Sequence, residues 1–464
     1  MATLHFAGTT RMAQSLLTAL LVIMPLGTQA QAMGLMELVQ LAKQHDANYQ
    51  ATLARAQADQ EIEKQARASL LPSLFFSAQI EKQDNTFEAF GNQIEASRDP
   101  GTYSLVLTQA LFRPQAWQTY KQSQLSAEVA RLQARQAEQE LLLKVTRAYF
   151  DVLNAQNDLD NLDIQKLAVQ EQLAFAQKNF ETGNATITDQ QEAQARFDLI
   201  NAQKLVGQNL LSTRQLALET LTGKTPDVLN TLNSHVTLAP PQPAQPQSWA
   251  DQAQQSNIQV LQARLNQEIA EREASKARLG HLPTLDLMVK RVETEQQSFN
   301  GTTGQPFEIG IENNTLGLTL NVPLFSGGAT QSNVRQQAHL LTKARQDLEA
   351  ASRFAQQQAK AAFLNTQSAL AQVSALQTAV KSSELALASN KTAYEVGVRI
   401  NVDVLNAQQQ LSSTQRDLSR AQYNALVQTI ELQAATGQLS MKDIEAINAL
   451  LVQQPIGAAQ ADKP

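Results

Sequence analysis

Cysteine is absent from all 464 residues, so the chain has no disulfides and no thiolate ligands, and packing alone must hold it together. Aromatic residues amount to only 5%. Ala, Gln, Leu and Ser dominate the middle of each half, the composition of long packed helices rather than of a sandwich or an α/β enzyme. Charge is also sparse: 17% of residues are ionised and the net charge is −6, a mild acidity that argues against nucleic acid as a partner. The five histidines, His5, His45, His235, His281 and His339, lack metal-ligand spacing. Gly223-Lys224-Thr225 looks like the end of a phosphate-binding loop, but Leu218 stands where that loop needs Gly. No Gly-x-Ser-x-Gly elbow occurs either. The sequence therefore predicts no catalysis, no metal and no cofactor.

Long apolar runs are missing as well. Residues 1–32 carry Arg11, an apolar run from Leu16 to Leu26, and Ala30-Gln31-Ala32, the pattern of an export signal cleaved after Ala30 or Ala32. The run is about half the ~20 residues that a spanning helix needs, so a membrane anchor is the weaker reading. Losing Arg11 with this segment leaves 36 basic residues against 43 acidic, a net −7. Downstream no stretch offers ~18 uninterrupted apolar residues, so a membrane, if entered, must be entered by strands.

What the sequence does contain is an internal repeat. Ala66-Arg67 and Leu71-Pro72-Ser73-Leu74 return as Ala277-Arg278 and Leu282-Pro283-Thr284-Leu285, and Phe180-Glu181-Thr182-Gly183 returns as Tyr394-Glu395-Val396-Gly397. The expected division is a first repeat over 33–228, a linker over 229–247, a second repeat over 248–440, and a C-terminal helix and tail over 441–464. The linker holds Pro240, Pro241, Pro243 and Pro246 and reads as a surface connection.

Each repeat predicts one helix (roughly 34–69 and 248–279), a strand, a polar loop, a second strand and two very long helical arms. Leu285, Leu287 and Val289 alternate with Asp286, Met288 and Lys290. Leu316, Leu318, Leu320, Val322 and Leu324 alternate with Gly317, Thr319, Asn321 and Pro323, and the first repeat echoes this with Tyr103, Leu105, Leu107 and Leu111. Such strands suit a membrane barrel, and equally a soluble sheet with one buried face. The loop Asn300-Gly301-Thr302-Thr303-Gly304 is polar, as solvent-facing loops are. In the arms, Val145, Tyr149, Val152, Gln156 and Leu159, and Phe363, Thr366, Leu370, Val373, Gln377 and Val380, step by 3 and 4 as a coiled-coil seam does. Pro114 is placed to start one arm, and residues 115–181 and 329–395 would each reach ~100 Å at 1.5 Å per residue.

Four membrane strands cannot close a barrel, and an open sheet in lipid leaves its edge groups unsatisfied. Three copies would supply twelve strands, an even number in the range of bacterial barrels. The expectation is a trimer.

Leu71-Pro72, Gln156-Asn157, Gly183 to Asp189, Gly280 to Leu287, and Tyr394 through Gly397 to Leu405 together resemble the landmarks of the TolC family, in order and over essentially the whole mature chain. The resemblance implies a mainly α protein with membrane β: a homotrimeric, 12-stranded outer-membrane barrel continuous with a periplasmic α-helical barrel. It also implies residence in the outer membrane of a Gram-negative bacterium, contact with its lipid, and export of drugs or proteins. The partners implied are a periplasmic adaptor and an inner-membrane pump or ABC exporter. Opening by untwisting of the periplasmic helices follows from the same likeness. By that likeness Thr188 and Asp189 face Tyr394 and Arg399 as a gate latch, Asp403 and Asn406 form the pore constriction, and Gly183 and Gly397 mark the turns where an adaptor docks. Asn406 departs from the acidic residue the family places there. Read locally, Thr188 caps its helix with Gln191 as partner, Asp189 and Asp403 favour helix N-termini, and the glycines are C-caps. A structural or adhesive coiled-coil stalk is the competing reading of the whole.

Overall fold

The computed structural model describes residues 32–89, 92–98, 101–183, 186–226, 228–233, 238–299 and 306–452. The expected export signal, apart from Ala32, the loop 300–304 and the tail beyond 452 lie outside the described residues.

Helix α1 (Leu35–His45) stops at Asp46, whose carboxylate accepts from the backbone N–H of Tyr49 and starts α2 (Ala47–Ala68). In the second half, α5 (Pro246–Ser256) stops at Asn257, whose side-chain oxygen accepts from Gln259 and Val260 and starts α6 (Ile258–Arg278). The single helices expected over 34–69 and 248–279 are therefore each broken in two. An Asp or Asn side chain that caps the next helix offers the backbone an alternative to continuing the last one.

After α2 come β1 (Ser73–Ile80), β2 (Gln83–Ala89), β3 (Asn92–Arg98) and β4 (Gly101–Phe112), and after α6 come β6 (Thr284–Phe299) and β7 (Pro306–Asn321). The short β5 (Thr231–Leu232) precedes α5 and pairs with β8 (Leu451–Val452), clamping the linker to the C-terminal segment. Linker residue Leu238 also packs on the core. An antiparallel sheet runs β1-β4-β6-β7, and β2 pairs with β3 as a separate ribbon where a polar loop was expected. Register sets Leu285 opposite Leu320, Leu287 opposite Leu318 and Val289 opposite Leu316. Leu107 stands beside Val289 and Leu74 beside Leu107. One face is thus a continuous apolar field, and the other carries Asp286, Met288, Thr108 and Thr319.

The arms are α3 (Pro114–Glu181) with α4 (Ile187–Thr222), and α7 (Ala329–Glu395) with α8 (Asn401–Ala435). Pro114 occupies the first turn of α3, where its missing N–H costs nothing. The 68 residues of α3 and 67 of α7 each span ~100 Å. Seam residues Val145, Tyr149, Val152, Phe363, Thr366 and Val373 are buried. The main core gathers α1, the middle of α3, the ends of α4 and α8, and α9 (Met441–Asn448) around Tyr149, Phe150, Leu142, Ile430 and Ile444. Phe150 stacks on Tyr423 at 5.3 Å, and the Tyr149 hydroxyl donates to the Asn230 carbonyl at 2.6 Å. Among the described residues no helix is long and apolar enough to cross a membrane.

Candidate functional site

Three regions concentrate what the chain could do: the bare sheet, the helix tips, and the concave wall between the arms. On the sheet, Leu316 is 76% exposed, Leu318 65% and Phe76 69%, although they belong to the apolar face. Charge enters two rows above Val289, where Arg291 pairs with Glu293 (2.5 Å) and Glu312 (3.3 Å). The apolar band therefore occupies only the part of the sheet nearer the arms. At its foot, Arg113 donates to both oxygens of Asp286 at 2.8 and 2.9 Å and fixes the end of β4 to the start of β6.

At the tips, Gly397 has φ +79°, its N–H bonds to Tyr394 O, and Val398 N–H bonds to Ala393 O. This double closure needs a left-handed residue, which Gly supplies. Gly183, with φ +75° and its N–H on Phe180 O, ends α3 with a left-handed residue too. The N-cap of α4 is Thr186 rather than Thr188, and its reciprocal partner is Asp189 rather than Gln191. Thr186 Oγ1 accepts from Asp189 N–H at 3.2 Å, and Asp189 Oδ2 accepts from Thr186 N–H and Oγ1–H at 2.9 and 2.8 Å. Thr186-x-x-Asp189 is a capping-box pattern legible in the sequence. The Thr186 amide and hydroxyl hold the Asp189 carboxyl below the usual range.

Arg399 reaches Asp403, one turn on in α8, at 3.4 Å. Tyr394 packs edge-on to Phe175 at 6.4 Å and against the cluster of Leu387, Val404 and Leu411. Asn406 accepts from both terminal nitrogens of Arg196 on α4, each at 3.4 Å. Arg196 lies 210 positions away and carried no signal in the sequence. Of the predicted residues, Tyr394 and Asn406 touch the first hairpin, through Phe175 and Arg196, whereas Asp189 is engaged by Thr186 and Arg399 by Asp403.

Between the arms a cavity of 890 Å³ is walled by Arg147, Asp158, Arg214, Arg420, Tyr423 and others. Six of its seven charged residues are paired, Arg420 with Asp158 at 3.0 Å, Arg214 with Asp151 at 3.2 Å, and Arg147 with Glu431, and Asp417 is the seventh. Burial pushes the Tyr149 hydroxyl well above its ordinary range, raises that of Tyr423, and raises Asp160 against a bond from Gln156. The wall is thus mostly compensated charge and amides, in which exposed pairs contribute little.

The sequence profile described as Outer membrane efflux protein matches residues 38–224 and again 249–438. Outer membrane protein TolC of Vibrio cholerae serotype O1 is 31% identical over 440 residues, 93% of this chain and 98% of that protein. Alkaline protease secretion protein AprF of Pseudomonas aeruginosa is 31% identical over 437 residues, 93% of this chain and 90% of that one. The crystal structure of the outer membrane protein VceC from Vibrio cholerae superposes with a TM-score of 0.71 at 19% identity, over 87% of this chain and 96% of that one. A sheet with one apolar face left uncovered suits the setting that a profile fitting the chain twice supplies: this protein belongs to the outer membrane efflux protein family and is a channel of the Gram-negative outer membrane.

Proposed function

We propose that three copies of the chain form one tube, a twelve-stranded barrel in the outer membrane continued by helices across the periplasm. The observation that carries this is the four-stranded sheet, whose outer strands β1 and β7 each have a neighbour on one side only among the described residues. In lipid each unpaired edge group costs several kcal/mol, and pairing β1 of one copy with β7 of the next removes both edges. Surface area supports the same reading. The chain exposes 30225 Å² at 50.8 kDa, against about 17,000 Å² for a compact monomer of that mass. Leu199, Leu205, Val206 and Leu216 on α4, and Leu340, Phe354, Leu364 and Leu385 on α7, are exposed and would be covered by neighbouring copies.

In this assembly the two repeats, 33–228 and 248–440, each contribute two barrel strands and one hairpin of arms. The channel conducts and catalyses nothing; energy comes from an inner-membrane pump or ABC exporter through a periplasmic adaptor seated near the Gly183 and Gly397 turns. A profile named for efflux and a relative named for alkaline protease secretion favour cargo ranging from drugs to polypeptides. Thr188, Asp189, Tyr394 and Arg399 latch neighbouring arms, and Asp403 with Asn406 lines the constriction. Opening untwists the helices at that end.

Single-channel conductance of the mature protein in a planar bilayer, beside a Tyr394→Phe/Arg399→Ser variant, tests this reading. A small wild-type conductance that rises several-fold in the variant is expected. Extraction by high salt alone, a detergent-solubilised mass of one or two chains, or no conductance from either inserted protein would return the chain to a non-conducting stalk.

A further inference from the structure

The first hairpin (α3–α4) meets the second (α7–α8) chiefly along α3 and α8. Near the tips that joint is thin. Its apolar part is Val169, Ile200 and Leu405, with Phe197 beside them. Its polar part is Arg196, which sends two nitrogens to the single side-chain oxygen of Asn406, both at 3.4 Å. The same guanidinium also pairs with Glu192 at 3.1 Å. Both bonds to Asn406 exceed the 2.7–2.9 Å of a charge-assisted pair, as expected for a neutral acceptor shared by two donors.

Directly under this contact is a cavity of 80 Å³, whose walls include Arg196, Leu405, Gln165, Gln203, Gln408 and Gln409. Gln165 is only 8% exposed, and its Nε2 has no protein partner. Val169, Leu199 and Ile200 complete its lining, so the hollow is mixed in character, with room for a water beside the Gln165 amide that could exchange bonds as the walls shift. A dry, interlocked core would resist such a shift.

We infer that Arg196 is a positioning residue of the periplasmic gate. It clasps the first hairpin to the second inside one protomer through Asn406, over a hollow that leaves the clasp room to slip. The inference rests on the gate reading above and adds a contact within the protomer, on residues outside the Thr188, Asp189, Tyr394 and Arg399 set. The neutral Asn406 keeps the clasp weak. A carboxylate at 406 would draw the guanidinium into a charge-assisted pair and hold the gate shut more firmly.

The test is single-channel conductance of Arg196→Ala, Asn406→Ala, Asn406→Asp and Arg196→Ala/Asn406→Asp, beside wild type and Tyr394→Phe/Arg399→Ser. Loss of one partly exposed polar contact should raise conductance or open probability roughly twofold to fivefold in Arg196→Ala and in Asn406→Ala. Asn406 is exposed, so its alanine variant assembles even if Arg196→Ala does not. Asn406→Asp should lower open probability when Arg196 is present, and should lose that effect and gain cation selectivity when Arg196 is absent. The inference is overturned if Arg196→Ala and Asn406→Ala conduct as wild type while Tyr394→Phe/Arg399→Ser conducts more. It is equally overturned if Asn406→Asp acts the same with and without Arg196. Silence from Tyr394→Phe/Arg399→Ser would instead remove the gate reading itself.

Discussion

Two buried or bonded groups of this chain show how single side chains set local stability. Tyr149 is fully buried and donates to a backbone carbonyl at 2.6 Å, so Tyr149→Phe leaves that carbonyl unpaired and should cost about 1 to 3 kcal/mol. Tyr423 accepts from Asn157, whose amide is only partly buried, so Tyr423→Phe should cost less because water can replace the acceptor. Thermal unfolding in detergent should therefore show a larger drop in midpoint for Tyr149→Phe than for Tyr423→Phe. Asp189 makes a different prediction, one of pH. Its carboxyl is held low by Thr186, so the folded form gains from the ionised state above the ordinary carboxylate range near ~4, and that gain is lost as pH falls through the lowered value. Protection factors of the amides at the start of α4, which remove the intrinsic pH dependence of exchange, should be higher at neutral pH than near ~pH 3, and those of Asp189→Ala should be low at both. At this scale the sequence was only partly legible. It singled out Asp189 but not its bonding within the chain, because Thr186 and Thr188 are equally plausible caps until the backbone places one outside the helix.

Elements were more readable than their junctions. Pro114 and the 3-4 spacing of Val145, Tyr149 and Val152 announce α3 because a helix of that length must repeat its signal many times. The breaks at Asp46 and Asn257 carry a single residue of signal each and passed unread, as did the β2–β3 ribbon inside a polar stretch. Glycines at helix ends separate strain from space. Gly437 has φ +74°, and a Cβ there would stand 2.3 Å from the Ser256 carbonyl oxygen. Gly183 has φ +75°, but a Cβ would meet nothing within 4 Å. Gly183→Ala should cost only the left-handed penalty of about 1 to 2 kcal/mol. Gly437→Ala must in addition force apart the end of α8 and the α5–α6 junction. The amount of assembled channel recovered from outer membranes should accordingly be near wild type for Gly183→Ala and strongly reduced for Gly437→Ala.

For the whole molecule, the deciding question is which side of the sheet faces lipid. Alternation alone leaves a membrane strand and a soluble half-buried strand indistinguishable, since both have period two. In the single chain both faces are uncovered, Leu318 and Thr319 alike, so the choice turns on how each face responds to a charge. Leu318 and Thr319 are adjacent on β7, at the same depth and on opposite faces, with Leu318 beside Leu287 and Thr319 beside Asp286. If Leu318 faces lipid, Leu318→Lys puts an ammonium into hydrocarbon at a cost of ~2–4 kcal/mol near the midplane. Thr319→Lys faces a water-filled lumen beside Asp286 and Arg113, where a further cation is tolerated. Detergent-resistant assembly should therefore fall sharply for Leu318→Lys and persist for Thr319→Lys, whose conductance should shift toward anions. Equal loss in both variants would mean that the two faces share one environment, as in a sheet buried within a stalk, and a barrel could not be built from it.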